Sequence, residues 1–238
     1  MKLRILTHAE KDLSRTLPDA WDDIWPEFLG HDPIVNTFWP RMFEVYPDFQ
    51  LWVVDGKKTV AQACTVPVRW DGIPEPRGID WAMTNGVAGE PSSLCAITVN
   101  ILPEYRGKGL APTLLRRMGT IAAGHGLDEL IAPVRPTWKD RYPLTPIERY
   151  MLWRREDGLP YDPWMRTHER LGAEVLDVAP RSMTITGSRA EWEEWTGLQF
   201  PEDGDYVVPG ALVPVRFENG AGTYVEPNVW MKHPLYEA

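Results

Sequence analysis

The stretch LCAITVNILPEYRGKGLAPTLLRRM, residues 94–118, joins an apolar run, a turn rich in glycine and basic residues, and an amphipathic segment. Pro103 closes the apolar run, which predicts a buried central strand from Leu94 to Leu102. Beyond the turn, apolar residues recur at helical spacing and predict a helix from Pro112 to Ala123. The chain therefore passes from a strand, through a flexible and positively charged turn, into a helix N-terminus.

A second strand follows this helix. The segment Gly124-His125-Gly126 is typical of a helix end, and LIAPV, from Leu130 to Val134, is short and apolar. Two strands joined by a crossover helix are parallel and lie in one sheet. The pattern predicts a βαβ unit.

The turn between strand and helix has the chemistry of an anion site. Gly107 and Gly109 permit positive φ angles and allow a ligand to approach the backbone closely. Successive amide N–H groups would then face one concavity at the positive end of the helix dipole, which suits a diphosphate. Arg106 adds a positive charge, and Pro112 is tolerated because a first-turn position needs no N–H donor. The alternative is an ordinary tight connection without a ligand.

Two common phosphate motifs do not fit this turn. A dinucleotide fingerprint GxGxxG starting at Gly107 would need a third glycine where Pro112 stands. A P-loop would need a glycine five positions before Gly107, and none is present. The pattern that remains is RxxGxA, formed by Arg106, Gly109 and Ala111.

In this context, ITVNILPEYRGKGLAPTLL resembles the acyl-CoA pyrophosphate loop of the GNAT superfamily of N-acyltransferases, whose motif is Arg or Gln, two residues, Gly, one residue, and Gly or Ala. HERLGAEV, residues 168–175, resembles the late helix and Leu-Gly turn that precede the last two strands of this family. The resemblance covers roughly residues 3–186. It implies one α/β domain with a mixed, mostly antiparallel sheet and helices on both faces.

The resemblance also implies a cosubstrate, acetyl-CoA or another acyl-CoA, and transfer of the acyl group to an amine of a small molecule. The loop amides would bind the diphosphate, and the edge of the preceding strand would hold the pantetheine arm where the central strands separate. A backbone N–H of that strand would polarise the thioester carbonyl. The cofactor-binding residues implied are Val99, Ile101, Leu102, Arg106, Gly107, Lys108, Gly109, Leu110 and Ala111.

His168 is the candidate catalytic acid. Many family members have a tyrosine three residues before the Leu-Gly turn that protonates the departing thiolate, and the matching position here holds His168. A histidine with a near-neutral pKa could donate that proton. The alternative is a histidine that packs against the strands or faces solvent. The strand carries no carboxylate, Glu104 beside the loop is expected to be solvated, and no general base is assigned.

An insertion departs from the family pattern. About 28 residues, RPTWKDRYPLTPIERYMLWRREDGLPYD, separate LIAPV from the late helix, and long ordered insertions are commonly functional. This connection, at about residues 136–162, leaves the carboxyl end of a strand on the expected acceptor side. Its aromatic residues are candidates for lining an acceptor pocket, or alternatively fix the insertion to the core. They are Trp138, Tyr142, Tyr150 and Trp153.

Other elements follow from local patterns. The sequence predicts a strand from Leu3 to Leu6, a helix from about Ala9 to Phe28, a hairpin of Phe49–Asp55 with Thr59–Val68, a loop from Gly72 to Pro91 with a short strand near Trp81–Met83, a helix from Pro163 to Leu171, and strands Val175–Val178 and Ser182–Thr186.

The last part of the chain is expected to be an appendage. We divide the sequence into an acyltransferase domain, residues 1–188, and a C-terminal β-rich extension, residues 189–238, packed on the same domain. The extension contains EWEEWTGLQF and the strand-like GALVPVRF and TYVEPNVW. It could pair with the sheet, cover the pocket or form a homodimer contact, and the sequence does not choose among these.

Composition narrows the function classes. A formal charge of −9 makes nucleic acid and membrane surfaces unsuitable partners, and favours cationic acceptors. The two cysteines form no CxxC pair and the histidines no HExxH motif, so no disulfide or metal site is expected. The N-terminus lacks a signal-peptide pattern, which indicates a cytoplasmic protein. Twelve tryptophans favour a bulky or partly apolar acceptor.

Two other functions remain open from the sequence. A GNAT fold could process an acyl-thioester differently, by decarboxylation or by loading a carrier protein, or it could be a non-catalytic CoA-binding module. Release of free CoA only in the presence of an amine would distinguish the N-acyltransferase from both.

Overall fold

The structure, a computed structural model, describes residues 3–14, 17, 21, 24–86 and 89–236. The strands of this part of the chain are β1 (Leu3–Thr7), β2 (Leu51–Asp55), β3 (Lys58–Val68), β4 (Ser93–Ile101), β5 (Glu129–Val134), β6 (Glu174–Ser188), β7 (Gly204–Tyr206), β8 (Val215–Glu218) and β9 (Ala221–His233). They form one sheet in the order β1-β2-β3-β4-β5-β9-β8-β7, with β6 also paired to β9.

Helices cover both faces of this sheet. They are α1 (Pro33–Val45), α2 (Gly78–Asn85), α3 (Leu110–Gly124), α4 (Ile147–Tyr150), α5 (Pro163–Arg170) and α6 (Arg189–Thr196). On one face, Leu114 of α3 and Met165 of α5 belong to a core with Leu130 of β5. On the other, Met42 of α1 and Met83 of α2 pack in a core that includes Trp230 of β9. We call these the α3–α5 face and the α1–α2 face.

The central βαβ unit is confirmed. β4 and β5 are parallel, α3 connects them, and the other strand pairs of the described residues are antiparallel. The hairpin of β2 and β3 is also confirmed, as is the helix before the Leu-Gly turn. The mixed, mostly antiparallel sheet with helices on both faces is therefore the fold of this chain.

The loop predicted from Gly72 to Pro91 is wrong in its central part, which is helix α2 rather than a loop with a short strand. Ile79, Ala82 and Met83 are buried there at helical spacing. The helix has only eight residues, so its helical periodicity is a weak signal in the sequence. The glycines and prolines on both sides of it favoured the prediction of a loop.

The prediction of two strands between Val175 and Thr186 is also wrong, because both segments belong to the single strand β6. The register against β9 shifts between Ala179 and Met183. Pro180 lies in this irregular part of the strand. In the sequence, a proline at this position predicts that one strand ends and another begins.

The C-terminal segment is part of the sheet. β9 lies between β5 and β6, with Val229 opposite both Val134 and Val178. A division after residue 188 therefore cuts through the sheet, and the excursion between the paired strands β6 and β9 is limited to residues 189–220. Three roles were open for the tail, and the strand register shows one of them, pairing with the sheet.

The helix predicted from about Ala9 to Phe28 falls partly outside the described residues. Those of its residues that are described include no α-helix, and Glu27–His31 is a short 3-10 helix. The first α-helix of the described part begins at Pro33, where the side chain of Asp32 accepts a hydrogen bond from the Val35 N–H.

Candidate active site

The two parallel strands separate in the middle of the sheet. β4 pairs with β5 only from Ser93 to Cys95, whereas its pairing with β3 continues to Ile101. The register between β3 and β4 shifts beside Ile97, as expected for a bulge that bends β4 away. Among the described residues, the second half of β4 therefore has a strand partner on one edge only, and an extended ligand could bind to the other edge through backbone hydrogen bonds.

The loop after β4 leads directly to this gap. Gly107 and Gly109 have φ angles of 73° and 78°, in the left-handed region. Gly109 is the N-cap of α3 and provides no side-chain cap, so the first-turn amides of the helix have no side-chain acceptor at this cap. In the described part of the chain, no atom outside the adjacent residues lies within 4 Å of a Cβ position built on either glycine. The space in front of the loop is therefore open, and its binding of an anion stays a prediction.

Cationic side chains surround the loop. The Nε of Arg106 donates to the carbonyl of Ile101 at 3.0 Å, which places its guanidinium beside the end of β4. The Nζ of Lys108 lies 4.9 Å from the ring centre of Tyr105. The exposed Glu104, expected to be solvated, forms a 2.7 Å ion pair with Lys58. The loop thus combines positive charge with a helix N-terminus that has no side-chain cap.

The predicted cofactor-binding residues differ in exposure, and their binding role stays a prediction. Arg106, Gly107, Lys108 and Gly109 are exposed, whereas the side chains of Leu102 and Leu110 are in the core and leave only backbone groups for a ligand. The half-buried residues are Val99, Ile101 and Ala111.

A chain of polar side chains crosses the gap at the carboxyl end of β5. Trp25 donates from Nε1 to the Oδ1 of Asn100 on β4 at 2.9 Å. The guanidinium of Arg135, just after β5, lies 5.7 Å from the Trp25 ring centre, and its Nε donates to the Oε2 of Glu226 on β9 at 2.9 Å. None of these residues is among the predicted site residues, although a polar residue within a buried strand pattern, as at Asn100 and Glu226, is a usable signal in the sequence.

Comparison with known proteins decides the family. No protein-family model matches the chain. The chain is 30% identical over 272 residues to the arginine N-acetyltransferase avaD of Aspergillus versicolor, and the alignment covers 96% of this chain and 92% of that protein. The chain belongs to the GNAT superfamily.

Solved structures agree with a GNAT fold. The loading GNATL domain of CurA from Lyngbya majuscula is 16% identical, with a TM-score of 0.61 and coverage of 99% of this chain and 98% of that one. The GNAT-like decarboxylase GphF, in complex with isobutyryl-CoA, is 15% identical, with a TM-score of 0.59 and coverage of 99% and 100%. At these identities the likeness concerns the fold alone.

His168, the candidate GNAT acid, is enclosed. It is 2% exposed on α5, and its Nδ1 lies 2.7 Å from the Nε2 of His233 at the end of β9. Burial, together with the neighbouring His233, lowers the pKa of His168 well below its usual value. A histidine that is neutral at pH 7 has no extra proton to give to a thiolate, so this environment favours the alternative role in packing. The catalytic role stays a prediction.

The pair of His168 and His233 should make the fold less stable at acidic pH. Burial also lowers the pKa of His233 to about 4. In the unfolded chain both side chains bind protons below pH 6.5, but in the folded chain they do so only at far lower pH. The stabilisation that the two neutral histidines give the folded state is therefore complete above pH 6.5 and is lost as pH falls. We expect the free energy of unfolding to drop by about 2 kcal/mol between pH 6.5 and pH 5.5.

Urea denaturation of the wild type and His168→Gln across this range measures the effect. The variant should lose about half of the pH dependence, because one buried histidine is removed. Identical pH dependence in both proteins would contradict the assignment to this pair.

The aromatic residues of the GNAT insertion mainly contact one another. Tyr142, Trp153 and Tyr161 are mutual ring neighbours, and the Tyr142 and Tyr161 hydroxyls are 2.8 Å apart. Tyr150 is 1% exposed and in the core. Trp138 packs on Tyr161. This geometry favours the alternative in which the residues fix the insertion to the domain, and their acceptor-binding role stays a prediction.

Asp162, which is not among the predicted site residues, organises this insertion. Its carboxylate is 2% exposed and accepts hydrogen bonds from the backbone of Trp138, Trp164 and Met165 and from the Tyr150 hydroxyl. It is therefore both the N-cap of α5 and the attachment point of the insertion.

The two cysteines and the histidines show no metal chemistry in the described part of the chain. That part contains no group of three potential ligands suited to a metal ion. Cys64 and Cys95 are buried, and burial raises the pKa of both thiols, so neither is a reactive thiolate.

The described residues include no helix of the length and hydropathy that crossing a bilayer requires.

Proposed function

We propose that this GNAT enzyme transfers an acyl group, acetyl by preference, from acyl-CoA to an amino or guanidino nitrogen of a small cationic molecule. The observation that carries the proposal is the opening between β4 and β5 beside a basic loop that leads into a helix N-terminus without a side-chain cap. The name of the relative avaD, an arginine N-acetyltransferase, supports the class of acceptor.

The parts of the site have distinct tasks in this reaction. The amides from Gly107 to Ala111 and the guanidinium of Arg106, whose own N–H donates to the carbonyl of Pro103, bind the diphosphate, and the free edge of β4 binds the pantetheine arm. A backbone N–H near the bulge at Ile97 polarises the thioester carbonyl. The neutral nitrogen of the acceptor attacks the carbonyl carbon and forms the C–N bond, and the C–S bond breaks. The proton lost by the nitrogen passes through water to the departing thiolate, so the products are the amide and the free thiol of CoA.

A turnover assay tests the function. The protein is incubated with acetyl-CoA and, separately, with L-arginine, agmatine, L-lysine and the neutral amine benzylamine, and free CoA thiol and product mass are followed. We expect CoA release only with an amine present, together with an acetylated product. CoA or CO₂ release from malonyl-CoA without an amine would instead favour a decarboxylase, and no turnover despite acetyl-CoA binding a non-catalytic module.

A further inference from the structure

A tryptophan side chain spans the gap between β4 and β5. Trp25 donates from Nε1 to the Oδ1 of Asn100 on β4 at 2.9 Å, and its ring centre lies 5.7 Å from the Cζ of Arg135, just after β5. The two strands are last paired at Cys95 and Ile131, so both partners of Trp25 lie beyond the point where the strands separate. Trp25 is also 40% exposed, so part of its ring remains open to a ligand.

The partners of this tryptophan lie on the α1–α2 face of the sheet. Both neighbours of Asn100 in β4 pack against the core of the α3–α5 face, so the side chain of Asn100 points to the opposite face. Arg135 bonds to Glu226, which shares a strand face with Trp230 of the α1–α2 core. The polar groups around the gap are therefore on the side of the sheet opposite α3.

Trp25 fixes the orientation of two amide side chains. An indole N–H can only donate, so the atom of Asn100 that faces Trp25 is its oxygen, which also accepts from the Thr98 hydroxyl at 2.9 Å. The Nδ2 of Asn100 then donates to the Oε1 of Gln62 on β3 at 3.3 Å. Among the described residues, the Nε2 of Gln62 has no acceptor. The β4 side of the gap thus presents N–H donors, while both amide oxygens are bonded.

Arg135 adds unused donors on the β5 side. Its Nε donates to the Oε2 of Glu226 at 2.9 Å, and its Nη2 donates to the carbonyl of Gly210 at 2.6 Å. The other oxygen of Glu226 is unpaired, so the ion pair uses a single N–H of the guanidinium. Within the described part of the chain, Nη1 has no acceptor, and the Arg135 side chain is 16% exposed. The guanidinium is therefore held in place with one nitrogen unused.

The charged groups at this end of β5 balance one another. The buried ammonium of Lys139 donates to the carbonyl of Leu212, two residues from the carbonyl that Arg135 bonds. Glu226 and Asp140 are the carboxylates whose charges act on Arg135. With two cations near two carboxylates, the unused donors rather than a net charge decide which ligand group fits.

A group that accepts hydrogen bonds and donates none is complementary to these donors. A carboxylate is such a group, and a guanidinium binds it through parallel N–H groups in a charge-assisted contact. The ring of Trp25, beside the guanidinium, provides an apolar surface for the carbon atoms next to that carboxylate.

We propose that Arg135 binds the carboxylate of the acceptor through Nη1, and that the ring of Trp25 covers the adjacent carbon atoms. The proposal rests on the proposed acyl transfer to an amine. It narrows the acceptor to an amine that also carries a carboxylate, such as an amino acid. The acceptor then lies on the α1–α2 face, with its carboxylate at the carboxyl end of β5.

Calorimetric titration of L-arginine, L-argininamide and agmatine into the full chain, in the presence of CoA, tests this site. The last two compounds keep the guanidinium of L-arginine but lack its carboxylate, and we expect the wild type to bind L-arginine at least tenfold more tightly than either. Arg135→Lys keeps a cation beside Glu226 and removes Nη1. It should weaken L-arginine binding at least tenfold and leave agmatine binding within twofold, a difference that a merely structural role would not produce.

A double variant guards against misfolding of the single one. Arg135→Met with Glu226→Gln removes both charges of the ion pair, so no buried charge is left without a partner, and it should show the same selective loss. Arg117→Lys, at an exposed position of α3, is the matched control and should leave all three affinities unchanged.

Titration of acetyl-CoA into the same proteins separates this proposal from the proposed function. All variants should bind acetyl-CoA as the wild type does. The carboxylate site would be overturned, while acyl transfer stands, by a wild type without preference for L-arginine or by wild-type L-arginine affinity in both Arg135 variants. Loss of acetyl-CoA affinity alone in these variants would assign the donors to the cosubstrate and also overturn it. Failure of the wild type to bind acetyl-CoA would overturn the proposed function itself.

Discussion

Gly109→Val should weaken acyl-CoA binding by at least about 100-fold, because two effects act at one position. Gly109 has a φ of 78°, and a β-branched residue is strongly disfavoured in this region. The new side chain would also project into the open space in front of α3, where the diphosphate is expected to contact the first-turn amides. The substitution therefore changes both the loop conformation and the space for the ligand.

Gly124→Ala is the matched control for this variant. Gly124 ends the same helix, lies outside the positive-φ group and has open space around its Cβ position. We expect wild-type acetyl-CoA affinity in calorimetry for this control. Thermal unfolding should show both variants folded at the titration temperature, with a lower midpoint for Gly109→Val because of its strained φ. Wild-type affinity in Gly109→Val would show that the glycines serve only a tight turn, and the cofactor assignment would be lost.

The central unit was predictable because its signals are local. The apolar run of β4, the glycines of the loop and the helical spacing of α3 are contiguous in sequence, and together they indicate one βαβ unit. The fold class follows from that unit and from the Leu-Gly turn before β6. The sequence was thus sufficient to predict structure where residues that are close in sequence are also close in space.

The rest depends on pairings between distant segments. β9 lies in the sheet between β5 and β6, but residues 189–220 separate it from β6 in sequence. The hydrophobic pattern of β9 does not indicate which strands are its partners. In the same way, Glu226 is one more acidic residue in the sequence, and only the fold brings Arg135 and Tyr224 to one of its oxygens and leaves the other unpaired.

Asp162→Ala should lower the free energy of unfolding by about 4 kcal/mol. The substitution removes the N-cap of α5 and the acceptor for the backbone N–H groups of Trp138, Trp164 and Met165, in a site that is 2% exposed. The Tyr150 hydroxyl, which donates to the same carboxylate at 3.0 Å, also loses its partner. Several donors would then be buried without acceptors, which is among the more costly changes that a single substitution can make.

The matched control is Asp157→Ala, in the same insertion. Asp157 is exposed, and its side chain accepts a hydrogen bond from Leu159 and pairs with Arg155 at the surface, so we expect a change within about 0.5 kcal/mol. Urea denaturation of the two variants measures the difference. Because Asp162 joins the insertion to α5, and α5 packs in the same core as α3, its loss should also raise the KM for acyl-CoA. Equal stability of the two variants would mean that the insertion is held by its aromatic contacts rather than by this carboxylate.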